Sequence, residues 1–307
     1  MVVPAVLVVA LAVGCVTPPA RPATGLGSKG PCTETLTTTP NPTESGQTLN
    51  VYTPGGTAAA PTGGRCDDAT RPTAIVVHGL LAGMTWLYAD TISHLVANGN
   101  VVIFATYNTN PGDFVGSFQK EDAAIVAAAN ATTRDDLSRV GIIGHSMGGG
   151  AIPYLVQRLA ARGWGTNGLW VMALAPWTLA GVNATGPITF PANAHVVVEA
   201  YSDDTLVNRS VGVEIFNRIT TPVARKQHVT LNSTTYDGAT LTAAHTTPNS
   251  VIAPEDAMRF YGIYRIADAL QGCSQRGVSC ATDFSVMGNW SDGTPVLPAT
   301  STDTPAP

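Results

Sequence analysis

Apolar positions in this chain gather into short unbroken runs, separated by longer stretches with helical spacing. Residues 74–77, 101–105, 140–143, 169–174, 196–199 and 227–231 read as strands. Most lack the in-and-out alternation of a strand with one wet face, so they suit a sheet buried on both sides. Between them, 85–98, 119–130 and 151–159 read as helices. A last helix opens at Pro254, carries Met258, Tyr261 and Leu270 on its apolar face, and is expected to end at Gly272,. Strands and helices taking turns in this way predict an α/β fold, with a mostly parallel central sheet flanked by helices. Residues 48–52 do alternate and are expected to form an edge strand, and 54–64 read as a turn-rich insertion.

The run 140–143 leads into Gly144-His145-Ser146-Met147-Gly148-Gly149-Gly150, and a helix follows. Strand, sharp turn and helix is the setting in which G-x-S-x-G forms a nucleophile elbow, its serine hydroxyl lifted clear of a strained backbone. Small neighbours let strand and helix approach closely. The motif is short enough to arise by chance; the flanking strand and the additional glycines make it specific here.

In that architecture an acid and then a histidine follow the serine along the chain. The strand at 196–199 runs on into Tyr201-Ser202-Asp203-Asp204, where either aspartate could serve. The Asp-x-x-Val spacing to Val207 favours Asp204. Of the two later histidines, His228 falls inside a strand, whereas His245 lies in a loop beyond it, where a general base belongs. His145 is expected to line the pocket, His78 to shape the loop after the first parallel strand, and His94 to sit on a helix surface. The chemistry needs two N–H donors for a developing oxyanion: Met147, next to the nucleophile, and Leu80, in the loop after His78-Gly79. A serine deprotonated by a neutral histidine attacks a carbonyl and forms an acyl-enzyme, so activity is expected to fall in acid.

Only 12% of residues are charged and the net charge is −5. No basic cluster tracks a phosphate backbone, so nucleic acid is not an expected partner. The apolar run at 2–13 is shorter than the roughly 20 residues that span a bilayer and reads as a secretory leader over 1–15,. Ala12-Val13-Gly14-Cys15 approximates a lipoprotein cleavage box, which would place a membrane-anchoring lipid on Cys15. Residues 16–31 are expected to be a flexible tether, 32–293 the catalytic domain, and the Thr- and Pro-rich 294–307 a disordered tail. An exported chain should form disulfides. Setting Cys15 aside, the remaining four cysteines allow three pairings, and proximity favours Cys273 with Cys280, leaving Cys32 with Cys66,. Their spacing fits no zinc site, and no metal or organic cofactor is expected. The expected state is a monomer.

Three stretches together resemble the α/β-hydrolase superfamily and, within it, the bacterial cutinase and polyester (PET) hydrolase branch. They are 140–150, Ala175-Pro176-Trp177, and Asp204-Thr205-Leu206 with His245-Thr246-Thr247-Pro248-Asn249. The resemblance covers residues 74–271 with gaps. It implies a secreted serine carboxylic-ester hydrolase acting on a small-molecule or polymeric ester, with Ser146 as nucleophile, His245 as base and Asp204 as its orienter. It further implies Leu80 and Met147 as oxyanion donors, and Trp177 and Leu206 as subsite walls. Trp177 also reads as an ordinary core residue. Three departures stand out: Leu80 where the branch usually has an aromatic residue, a histidine loop lengthened by 232–242, and a closer Cys273–Cys280 pair. Trp86 and Tyr88 offer aromatic surface near the oxyanion loop instead. A lipase or an acyltransferase would use the same triad; a binding protein on this scaffold would have lost catalysis.

Overall fold

The computed structural model describes residues 16–278 and 280–306. The expected leader, with Cys15, lies outside them. The strands are β1 (Thr33–Pro40), β2 (Thr48–Gly55), β3 (Arg71–Val77), β4 (Val101–Ala105), β5 (Asp135–His145), β6 (Leu169–Leu174), β7 (Ala194–Tyr201), β8 (Lys226–Leu231), β9 (Thr234–Tyr236), β10 (Ala239–Leu241) and β11 (Thr300–Thr302). The α-helices are α1 (Ala89–Ala97), α2 (Phe114–Asn130), α3 (Met147–Ala161), α4 (Ser210–Arg218) and α5 (Arg265–Arg276). The large sheet has the order β1-β2-β4-β3-β5-β6-β7-β8-β11. Every pairing from β4 through β8 is parallel, and the outer pairings are antiparallel.

The unbroken apolar runs follow from burial on both faces. Alternate residues of one strand enter different cores: Ala74 and Val76 meet α1 and α5 on one face, Ile75 and Val77 meet α2, α3 and α4 on the other. The chain is thus α/β, with a mostly parallel central sheet flanked by helices. Parallel strands point the same way, so the loops after β3, β5, β7 and β8 emerge together at one end of the sheet.

Several sequence expectations are corrected. Residues 48–52 are not an edge, because β2 pairs on one side with β4 and on the other with β1. The β1 edge reads Thr-Glu-Thr-Leu-Thr-Thr-Thr-Pro and is exposed along nearly its whole length, so it carries no hydrophobic pattern to find. The segment 85–98 divides into a 3-10 turn and α1. Helix α2 starts five residues before 119, where the Asp113 carboxylate caps it by accepting the Gly116 N–H at 2.8 Å,. The final helix begins with π-type spacing over Met258–Tyr264 and stops at Gly277, whose φ of 63° makes it the C-cap, leaving Gly272 inside,.

The tail at 294–307 is not a disordered appendage through its described length. Val296 and Ala299 are buried, and Thr300–Thr302 closes the exposed edge of β8 by antiparallel pairing,. Residues 16–31 contain no helix or strand, as expected of a tether, but they are fastened to the domain. Arg21 stacks on Tyr264 and donates from Nη2 to His94 Nδ1 at 2.5 Å, and the Gly27 N–H donates to Asp268 at 2.8 Å. His94 is therefore buried between the tether and α5 and does not lie on a helix surface.

The cysteines pair Cys32–Cys66 and Cys273–Cys280. Residues 234–241 form a hairpin turned at Asp237-Gly238, both in the left-handed region,. Tyr236 of that hairpin packs on Trp290, with ring centroids 5.6 Å apart. Among the described residues, no helix is long and apolar enough to cross a membrane.

Candidate active site

Strand β5 ends at His145, and α3 begins at Met147. Ser146, between them, has φ 58° and ψ −119°, outside the comfortable regions for a residue with a Cβ,. Such a conformation costs on the order of 1–3 kcal/mol and persists only where its surroundings fix it. Here they do: the Ser146 N–H donates to Leu174 O at 2.9 Å, and its carbonyl accepts from Trp177 and Gly150 at 3.0 Å each. The glycines permit the packing. A Cβ on Gly144 would stand 2.3 Å from the Gly148 carbonyl, and one on Gly148 would stand 2.4 Å from that of Val77.

His245 Nε2 lies 2.9 Å from Ser146 Oγ, and its Nδ1 lies 2.8 Å from Asp204 Oδ2. The other Asp204 oxygen accepts the N–H groups of Leu206 and Val207 at 2.9 and 3.1 Å. These bonds pin the carboxylate in an Asx-type turn with one oxygen left for the imidazole. With Nδ1–H donated to a carboxylate, Nε2 is free to accept the serine proton. Asp203 does not reach the histidine; among the described residues its carboxylate accepts from Ser202 alone. His228 lies in β8, where burial holds it down at about 4, and takes no part in this series.

The serine opens into a surface cleft of about 400 Å³. Leu80, His145, Trp177, Leu206 and His245 all line it, with Ile252 and Asn249 from the segment after the histidine. Met147 is fully buried under the elbow and can present only its backbone to the cleft. Trp177 does two things at once: one part faces the cleft, and its ring meets Phe114 edge-on at 5.3 Å. Trp86 is half exposed and is not among the cleft walls, while Tyr88 is buried beneath them.

The loop after β3 is fastened from below. His78 Nδ1 donates to Gly79 O at 2.8 Å, and its Nε2 accepts the Tyr107 N–H at 3.4 Å. The Gly79 N–H donates to Tyr88 Oη at 3.1 Å, and Tyr88 Oη lies 3.0 Å from His145 Nδ1. His145 Nε2 in turn donates to the His245 carbonyl at 2.9 Å. Burial holds His78 at about 4, and burial together with the nearby His245 holds His145 at about 3, so both stay neutral. Sequence reading placed His145 against the pocket and found no partner for it. The Tyr88 contact joins residues 57 apart and has no local signature.

Comparison with protein-family models and with curated proteins found no match to this chain. A hydroxyl, an imidazole and a carboxylate in hydrogen-bonded series, beside an apolar cleft, can carry out nucleophilic acyl transfer.

Proposed function

We propose that this chain is an exported serine carboxylic-ester hydrolase of the α/β-hydrolase type, similar to cutinases and polyester hydrolases. The observation that carries the reading is the unbroken series Ser146 Oγ, His245, Asp204, at 2.9 and 2.8 Å, on a backbone strained as a nucleophile elbow requires,. His245 takes the Ser146 proton as Oγ attacks the ester carbonyl. Asp204 holds the imidazole in the tautomer that can accept it and stabilises the imidazolium formed. The same proton passes to the departing alkoxide, leaving an acyl-enzyme. Water, deprotonated by His245, then releases the acid. The N–H groups of Met147 and Leu80 are the donors for the oxyanion, and losing one such donor costs about 10²–10³-fold in rate.

The substrate reading rests on the cleft. Leu81, Leu206 and Ile252 stand at its rim with 78%, 67% and 60% of their surface exposed. Met84 and Trp86 are exposed in the segment of Leu81, and Val251 in that of Ile252. Exposed apolar groups gathered round a reactive serine support a hydrophobic or water-insoluble ester. A rim this open also supports water as the acyl acceptor over an alcohol, which an acyltransferase would have to protect. Export is supported by the two disulfides,.

The test is hydrolysis of p-nitrophenyl esters from acetyl to dodecanoyl by protein lacking residues 1–15, beside Ser146→Ala. Turnover that disappears in the folded variant is expected. A folded wild-type protein inert on every ester would refute the reading.

A further inference from the structure

Donor and acceptor roles along Gly79, Tyr88, His145 and His245 are forced. The His245 carbonyl can only accept, so His145 Nε2 carries the hydrogen,. His145 is neutral, so its Nδ1 is bare and accepts the Tyr88 hydroxyl proton. The Tyr88 oxygen is then free to accept from the Gly79 N–H. All the bonds point the same way and each partner is satisfied; Gly79, Tyr88 and His145 are buried and the His245 end is half-buried, a setting that strengthens such a series,. One end lies next to Leu80, at the oxyanion loop; the other holds the backbone of the residue whose imidazole faces Ser146.

We propose that Tyr88 and His145 are positioning residues that act as one strut, fixing the spacing between the oxyanion loop and the His245 base. Of the two, His145 also reaches the cleft wall, while Tyr88 lies buried beneath it. The strut's effect falls on the transition state, where the oxyanion donors and the base must be placed at the same time. This inference rests on the esterase reading, and its test separates the two.

Tyr88→Phe removes one oxygen and keeps the ring against Phe104. It leaves a Gly79 N–H and a His145 nitrogen unpaired in a buried place. The expected result is a fall in kcat of about 10–100-fold, the scale of leaving buried polar groups unpaired, with KM changed less than about twofold. His145→Gln keeps a donor for the His245 carbonyl, but its amide oxygen stands one bond farther from Cβ than Nδ1 and does not reproduce the acceptor Tyr88 donates to, so it should cost a similar factor. The double variant should cost little more than either single change, because a strut cut once is already cut. Affinity for a boronic acid, which forms a tetrahedral adduct on the serine, should fall in step with kcat/KM. Independent multiplication of the two single effects, or a loss confined to KM, would overturn the strut.

Hydrogen exchange of the Gly79 amide provides a readout that does not need turnover. It should be slow in the wild type and faster in Tyr88→Phe. Equal exchange in both refutes the strut whatever the activity. Slow wild-type exchange in a protein inert on every ester would refute the esterase reading and leave the hydrogen-bonded series standing.

Discussion

Asp204 and His245 meet at 2.8 Å across 41 residues of chain, while Asp203, one residue away, bonds to its own neighbour Ser202. The difference arises at the end of β7. The chain turns there so that the Asp204 side chain is almost wholly buried behind the imidazole. Asp204→Asn should keep the fold but favour the wrong imidazole tautomer, lowering kcat by about 10⁴-fold, as loss of the triad acid does in serine proteases. Asp203→Asn should stay within about threefold of wild type. Steady-state kinetics on one short p-nitrophenyl ester checks both, and equal losses would put the acid assignment in doubt.

Gly79 offers a second entry to the same chemistry. A Cβ added there would lie 3.1 Å from Ser146 Cβ and 3.6 Å from its Oγ. The backbone of Gly79 is not in the left-handed region, so alanine brings crowding without conformational strain. Gly79→Ala should therefore lower kcat by about 10–100-fold, the scale of a small misplacement of reacting groups. Thermal stability should change little. A melting temperature well below wild type would show that the loop supports the fold as well as the serine.

The sheet was legible in the sequence because burial on both faces leaves unbroken apolar runs, and 101–105 and 169–174 match β4 and β6 end to end. The elbow was legible because its glycines and serine are contiguous. Ser146, His245 and Asp204 were legible through their order along the chain. What the sequence did not reveal depends on tertiary contacts. The polar β1 edge has no apolar face, and β11 is only three residues long. His94 has the spacing of a surface residue until Arg21 and Asp268 close over it. The Asp237-Gly238 turn is an exception: Asp-Gly between short β-prone stretches is a readable hairpin signal.

Glu199 makes stability depend on pH. It lies in β7, fully buried, in the same sheet row as Leu174 and Val229, with the Tyr201 hydroxyl as the polar group beside it and, among the described residues, no cation to offset the burial. Burial pushes it from 4.5 up to about 8. The folded protein thus keeps a proton there that the unfolded chain gives up above about 4.5. The stabilisation is complete below that value and is lost as pH rises to about 8,. Glu199→Gln removes the ionisation, so its denaturation midpoint should fall less between pH 5 and 8, with the variant gaining on the order of a few kcal/mol relative to wild type at the upper end. Parallel midpoints for the two proteins across that range would show that Glu199 is ionised in the fold.

The two disulfides should differ in worth. Cys32–Cys66 spans 34 residues and closes the turn-rich 54–64 segment onto β1, with Cys66 wholly buried. Cys273–Cys280 spans 7 and ends on an exposed cysteine. Loop-closure entropy alone gives about 4 kcal/mol for the first and about 2.5 kcal/mol for the second. Cys32→Ala/Cys66→Ala should therefore shift the urea midpoint further than Cys273→Ala/Cys280→Ala. Neither pair touches the cleft, so both variants should keep wild-type kcat at a temperature where they remain folded.

The fastened tether can be tested in the same way. Arg21 bonds to His94, stacks on Tyr264 and reaches Glu255, while no residue of 16–31 lines the cleft. Arg21→Ala should cost about 1–3 kcal/mol, since it strips a buried histidine of one partner and removes a cation from an aromatic face. Activity on a soluble ester should be unchanged. Arg21→Lys restores the charge but not the planar fork, so it should recover only part of the loss. Full recovery by lysine would show that charge alone holds the tether. No loss in either variant would mean that 16–31 leaves the domain surface in solution, and that the Gly27 N–H bond to Asp268 is too weak to keep it there.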